Sequence, residues 1–135
     1  MLLPHGVVIA LVDGKKLELY RNGGTEEHPH LDPLPTPSLD EHNKGSGGHH
    51  RTTSANPSSR RLEEDAHAAA VATWLNSQVL GHKIDQLVVI ADPRTLGELR
   101  KHYHKQTAAA VRGDLHKDLI GKQGPEIIEA LRAHN

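Results

Sequence analysis

The residues best equipped for chemistry lie in one glycine-bearing stretch, Gly45-Ser46-Gly47-Gly48-His49-His50, flanked by Lys44 and Arg51 and followed by Arg60 and Arg61. Imidazole exchanges protons near neutral pH and ligates metals in its neutral form. His49 and His50 are therefore candidate catalytic groups and candidate ligands for Zn or Ni. Asp13 adds a carboxylate at a strand end, and with the imidazoles it would make a hydrolase, assisted by a metal or not. The cations point to a different use. From Lys44 to Arg61 the charged side chains are Lys44, Arg51, Arg60 and Arg61, with no acid among them, which suits salt-sensitive contact with RNA phosphates and no reading of bases. Lys44, Gly47, Gly48, His49, Arg51, Arg60 and Arg61 are accordingly the candidate RNA- or partner-binding residues.

Each candidate also has a plainer reading. The chain holds 12 histidines, but His28 with His30, His102 with His104 and the adjacent His49 and His50 match neither the HExxH helix nor a Cys/His knuckle. Surface imidazole accounts for them more simply, and no cofactor is expected. Asp13 is the ordinary first residue of an Asp-Gly turn, and Asp92 the ordinary cap before Pro93. Asp114 and Asp118, beside Lys117, fit an anion-binding or structural network, and in the plainer reading Asp118 pins a loop. No P-loop or Rossmann glycine pattern is present, and Ser54, Ser58 and Ser59 lack the elbow that makes a serine nucleophilic. The absence of cysteine removes disulfides, thiolate metal sites and a cysteine nucleophile.

Composition bounds the rest. The 135 residues form one domain, read as a single α/β unit over 1–135. Trp74, Tyr20 and Tyr103 are its only aromatics, so the core is aliphatic and base stacking on aromatic rings is poorly supplied. A formal net charge of −1 creates no global field toward nucleic acid or membrane. Arg94 to Lys122, however, carries seven Lys or Arg against three acids, with His102, His104 and His116 added. This second basic tract shares a face with the first or lies apart from it; the sequence allows both. No apolar stretch approaches the roughly 20 residues of a membrane span, and no secretion-type leader is visible, so the expected compartment is the cytoplasm.

The elements that must position these residues are legible in part. Gly6 to Val12 and Lys15 to Arg21 flank Asp13-Gly14 and read as an antiparallel hairpin with a type I′ turn. Leu17 and Leu19 alternate with Lys16, Glu18 and Tyr20, giving one buried face. Pro29, Pro33, Pro35 and Pro37 confine His28 to Leu39 to an edge strand. Residues 40–59 have little to bury and read as a flexible Gly/Ser/His-rich loop. Ser59 then caps a helix from about Arg60 to Leu80, with Ala68, Val71, Ala72, Leu75 and Val79 as its core stripe, Glu63, Glu64 and Asp65 in its first turns and Gly81 at its end. Ile84 to Ala91 is a strand buried on both faces, Asp92 caps a helix from Pro93 to Tyr103, and an apolar run around Ala108 to Arg112 is a further strand. Gly124-Pro125 opens a last helix that docks through Ile127, Ile128 and Leu131. The expectation is a mixed sheet of about five strands, an antiparallel hairpin and edge strand followed by parallel βαβ units, with about three helices.

Four ordered segments carry a family resemblance: LPHGVVIALVDGKKLELYRN, RRLEEDAHAAAVATWLN, LVVIADPRTLGELRK and VRGDLHKDL. They resemble the bacterial host attachment protein family, most specifically in the strand that runs into Pro93-Arg94-Thr95-Leu96-Gly97-Glu98-Leu99-Arg100. That family is itself remotely similar to the middle domain of the eukaryotic and archaeal class I peptide-release factors, whose loop between third strand and long helix carries a Gly-Gly-Gln tip. Here Gly47 and Gly48 agree with the tip and His49 stands at the glutamine. The resemblance implies a release-factor-like α/β module of undefined activity that contacts a macromolecule, with ribosome or tRNA as the expected partner and without the glutamine that positions water at the peptidyl ester.

Overall fold

A computed structural model describes residues 1–39 and 57–134. Five strands, β1 (Val8–Val12), β2 (Leu17–Asn22), β3 (Leu31–Leu34), β4 (Leu87–Ile90) and β5 (Val111–Leu115), form one sheet in the order β3-β2-β1-β4-β5. β1 pairs antiparallel with β2 and parallel with β4, β2 pairs antiparallel with β3, and β4 pairs parallel with β5. Among the described residues the helices are α1 (Pro57–Leu80), α2 (Pro93–His102), α3 (Lys105–Ala110) and α4 (Gly124–Ala133). This is the expected mixed α/β architecture, with the proline-bearing strand at one edge.

The central strand dictates the layers. Every residue of β1 is at most 1% exposed, so both faces of the sheet need a cover. Val8, Ala10 and Val12 pack with Ala68, Val71, Ala72, Leu75 and Val79 of α1 and Leu96 and Leu99 of α2. Ile9 and Leu11 face the other way, with Val88, Ile90, Leu115, and Ile127 and Leu131 of α4. Burial of such aliphatic side chains contributes about 1.5–3 kcal/mol each before ordering costs.

Local chemistry sets several boundaries differently from the sequence expectation. The β1–β2 turn has no positive φ at Asp13 or Gly14 and so is not type I′. Instead Asp13 Oδ1 accepts from Lys15 N at 2.8 Å and Lys16 N at 2.6 Å, an Asx-type closure. Helix α1 begins at Pro57, so Ser59 lies inside it rather than capping it, and Pro57 to Ser59 belong to the helix and not to the loop. Proline suits a first helical position because its missing N–H has no helical partner to lose. Glu63, Glu64 and Asp65 consequently fall beyond the first turn. At the other end the left-handed residue is His82, φ 62°, rather than Gly81. The run read as a strand from Ala108 divides: Ala108 to Ala110 complete α3, a helix the sequence reading lacks, capped by His104 Nδ1 accepting from Gln106 N, and β5 starts at Val111. Alanine's helix preference explains the division.

Asp92 caps α2 as expected, Oδ1 accepting from Thr95 N at 2.8 Å and Oδ2 from Thr95 Oγ1 at 3.0 Å. A polar anchor with no forewarning in the sequence is Asn22, fully buried. Its Nδ2 donates to Leu3 O at 2.8 Å and Thr25 O at 3.2 Å, and its Oδ1 accepts from Gly24 N at 2.8 Å and His30 N at 3.0 Å. Asn22→Ala orphans two backbone N–H groups and should cost roughly 2–4 kcal/mol in urea unfolding.

Tyr103, at the end of α2, packs against the α1 side of the core, and its buried hydroxyl has no hydrogen-bond partner among the described residues. Burial, reinforced by the negative charge of Asp114, pushes its pKa up to about 12. The unfolded phenol ionises near pH 10, so above that pH the unfolded state has lost a proton the folded state still holds, and stability falls as pH rises toward 12. Tyr103→Phe should therefore remove up to about 2–3 kcal/mol of alkaline destabilisation between pH 10 and 12 and be near neutral at pH 7, as urea titrations at the two pH values will read.

Candidate nucleic-acid interface

β1, β4 and β5 are parallel, and β3 runs with β1 because both oppose β2. The carboxyl ends of all four lie together, where open α/β sheets place ligands. The turn at Asp13, the chain leaving β3, the start of α1, the start of α2 and the segment after β5 all meet there. Glu64 of α1 lies against Gly14, where an added Cβ would come within 2.8 Å of its Cγ. His67, 4% exposed, bonds through Nε2 to Lys16 O at 3.1 Å. Arg94 Nη2 meets Asp65 Oδ1 at 2.8 Å and ties α2 to α1.

Four cations gather at this end. Lys15 and Lys16 are exposed on the turn, and Arg60 and Arg61 are exposed near the start of α1. None of the four has a carboxylate partner within bonding distance among the described residues. Between the turn and the chain leaving β3 runs a groove of about 420 Å³, with Lys15, Lys16, Leu17 and Glu18 on one side, Thr36, Pro37 and Leu39 on the other, and His67 contributed by α1. Thr36 Oγ1 donates to Leu17 O at 3.4 Å across it, and Glu18 Oε1 accepts from Gly121 N at 3.0 Å.

Of the residues singled out by sequence, Arg60 and Arg61 fall on this end of the molecule. Lys44, Gly47, Gly48, His49, His50 and Arg51 lie outside the described residues. Asp13 is at this end too, but its Oδ1 already accepts two backbone N–H groups, and both oxygens of Asp92 are engaged by Thr95. The carboxylates thus hold turns. His30 pairs with Asp32 at 3.1 Å, and His104 caps α3. Asp114 binds Arg100 at 2.6 Å with His116 at 3.6 Å, and Asp118 accepts from Ile120 N at 3.3 Å. Among the described residues no group of three or more His, Asp or Glu is arranged to hold a metal ion.

The second basic tract divides between the two ends of the sheet. Arg94 and Lys117 lie near the carboxyl ends of β4 and β5. Lys101, His102 and Lys105 follow α2 to the opposite end, where Arg112 Nη1 donates to Gln86 Oε1 at 3.2 Å and Lys101 pairs with Glu98 at 2.6 Å. That hydrogen bond to Lys101 holds the Glu98 carboxyl below its usual pKa.

Lys15, Lys16 and His67 escaped the sequence reading. His67 was within reach of it, since it precedes Val71 by one helical repeat and so belongs to the stripe facing the sheet. His67→Ala should loosen α1 from the β1–β2 turn at a cost of about 1–2 kcal/mol, measurable as a lower urea midpoint, with amide exchange rising first at Lys15 to Leu17.

Two comparisons bear on this arrangement. A family model, Bacterial archaeo-eukaryotic release factor family 12, matches residues 6–131, and it is the release-factor side of the resemblance that this match supports. No curated protein sequence matches the chain. Among the described residues no helix is long and apolar enough to cross a membrane.

Proposed function

Because this chain belongs to bacterial archaeo-eukaryotic release factor family 12, we propose that it is a binding module that engages RNA, of the ribosome or of tRNA, through the carboxyl end of its sheet. The observation that carries this reading is the placement of Lys15 and Lys16 on the β1–β2 turn and of Arg60 and Arg61 near the start of α1, four exposed cations from two separate segments at one end of the sheet. Lys44 and Arg51, in the connection between β3 and α1, add two more positive charges by sequence. Phosphates neutralised by such side chains release counterions, and four contacts to a single strand correspond to a slope of about −3 in log affinity against log salt.

The role is binding rather than ester hydrolysis. By the resemblance His49 stands where the release-factor tip carries glutamine, Asp13 commits one oxygen to two backbone N–H groups, and Asp92 commits both of its oxygens to Thr95. The contact takes place in the cytoplasm, where ribosomes and tRNA are found. Sedimentation with ribosomes through a sucrose cushion tests the reading: the wild-type chain should pellet at low salt and be released as salt rises. The double change Arg60→Glu and Arg61→Glu should lower the pelleted fraction at least about tenfold, as expected for repulsion replacing attraction at two phosphates. Sedimentation unaffected by that change, or independent of salt, would overturn it.

A further inference from the structure

We propose that the RNA taken by this end is an A-form duplex, its two strands met from opposite faces of the sheet: by Arg60 and Arg61 on one side and by Lys117 and Lys122 on the other, with Lys15 and Lys16 between. This rests on the RNA-binding reading and specifies the form of RNA. Arg60 and Arg61 stand on α1, which covers one face of the sheet. Lys117 and Lys122 stand on the segment between β5 and α4, which crosses the other face. Its Leu119 and Ile120 pack against the cluster of Ile9, Leu11 and Leu115. Gly121 N donates to Glu18 Oε1 at 3.0 Å, and the Tyr20 hydroxyl donates to Lys122 O at 3.5 Å. Both lysine side chains are exposed, and neither has a carboxylate partner among the described residues. Lys15 and Lys16, on the β1–β2 turn, lie at the level of the sheet itself.

One packed layer is about 10 Å thick, so the two outer pairs of cations stand roughly 20 Å apart. A single flexible strand touches both only by wrapping over the end and being ordered along that path, which costs affinity. A duplex arrives with its two rows of phosphates already fixed, and double-stranded RNA is recognised by phosphate contacts across its wide, shallow minor groove. Single-strand binding also calls for aromatic rings on which bases stack. The chain's only aromatics are Tyr20, Trp74 and Tyr103, and none serves this end. Trp74 is fourteen residues along α1 from Arg60, about 20 Å away. Tyr103 follows the far end of α2 with its hydroxyl buried, and Tyr20 is bonded to the segment that carries Lys122. Nearby acids hold donors of their own: Glu18 takes Gly121 N, Asp65 takes Arg94, and Asp118 takes Ile120 N.

Fluorescence anisotropy with a labelled RNA duplex of about 20 base pairs, long enough to present successive grooves, and with one of its strands alone provides the test. Wild-type protein should bind the duplex with a salt slope of about −5, for six contacts, and the strand with a slope of about −3, for four. Any cationic surface favours the denser charge of a duplex, so the deciding result comes from the joint change Lys117→Gln and Lys122→Gln, on exposed side chains. It should make the duplex slope shallower by nearly 2 and weaken duplex binding about tenfold, while leaving the strand at its wild-type affinity. Thermal unfolding confirms that the variant folds. Equal loss on duplex and strand, or no loss on either, would overturn the two-strand contact and spare RNA binding through Lys15, Lys16, Arg60 and Arg61. No binding of duplex, strand or ribosomes by wild-type protein would overturn both readings.

Discussion

The molecule is organised by the double burial of β1. Five consecutive apolar residues in a central strand cannot face water on either side, so both faces of the sheet must be roofed. α1 and α2 roof one face and α4 the other. Since β1 is paired antiparallel on one flank and parallel on the other, the chain can enter as a hairpin and continue by helical crossover without breaking the sheet. The carboxyl ends of β1, β3, β4 and β5 then coincide, and connecting segments of different chemistry are brought to one end.

That end is braced by contacts separate from the core. Backbone donors saturate one oxygen of the Asp13 carboxylate, His67 joins α1 to the turn, and Arg94 with Asp65 joins α1 to α2. The Arg94 pair is partly exposed and contributes little to stability, but it constrains where the two helices begin. Lys15, Lys16, Arg60 and Arg61 therefore stand on elements that these contacts join. A cation on a preorganised frame loses less conformational freedom when it meets a phosphate than one on a mobile chain.

Much of the fold can be read from apolar spacing and turn chemistry. The buried run at Leu87 to Ile90, the cap at Asp92 before Pro93, the stripe on α1 and the proline-marked edge strand are local signals, and each is found where its physics puts it. The failures are also physical. An Asp-Gly pair closes a turn through its side chain as readily as through positive φ, so the turn type at Asp13 depended on which hydrogen bonds the hairpin allowed. A helix start displaced by three residues changed which groups lie near its N-terminus. The alanines before Val111 fit the apolar run of a strand, but their helix preference together with the cap at His104 carries α3 through Ala110.

By itself the sequence determined the class of fold and the order of its elements, because hydrophobic period and proline placement act within a few residues. It also marked Arg60 and Arg61 and the glycine-bearing cationic stretch before them as unusual. Only the tertiary structure decided which charges stand together, since Lys15 and Lys16 are more than forty residues from Arg60 in sequence. The structure likewise split the second basic tract between opposite ends of the sheet and turned the strand-end carboxylates into turn and helix caps. Charge proximity and lone-pair occupancy are long-range properties of packing, and no local pattern encodes them.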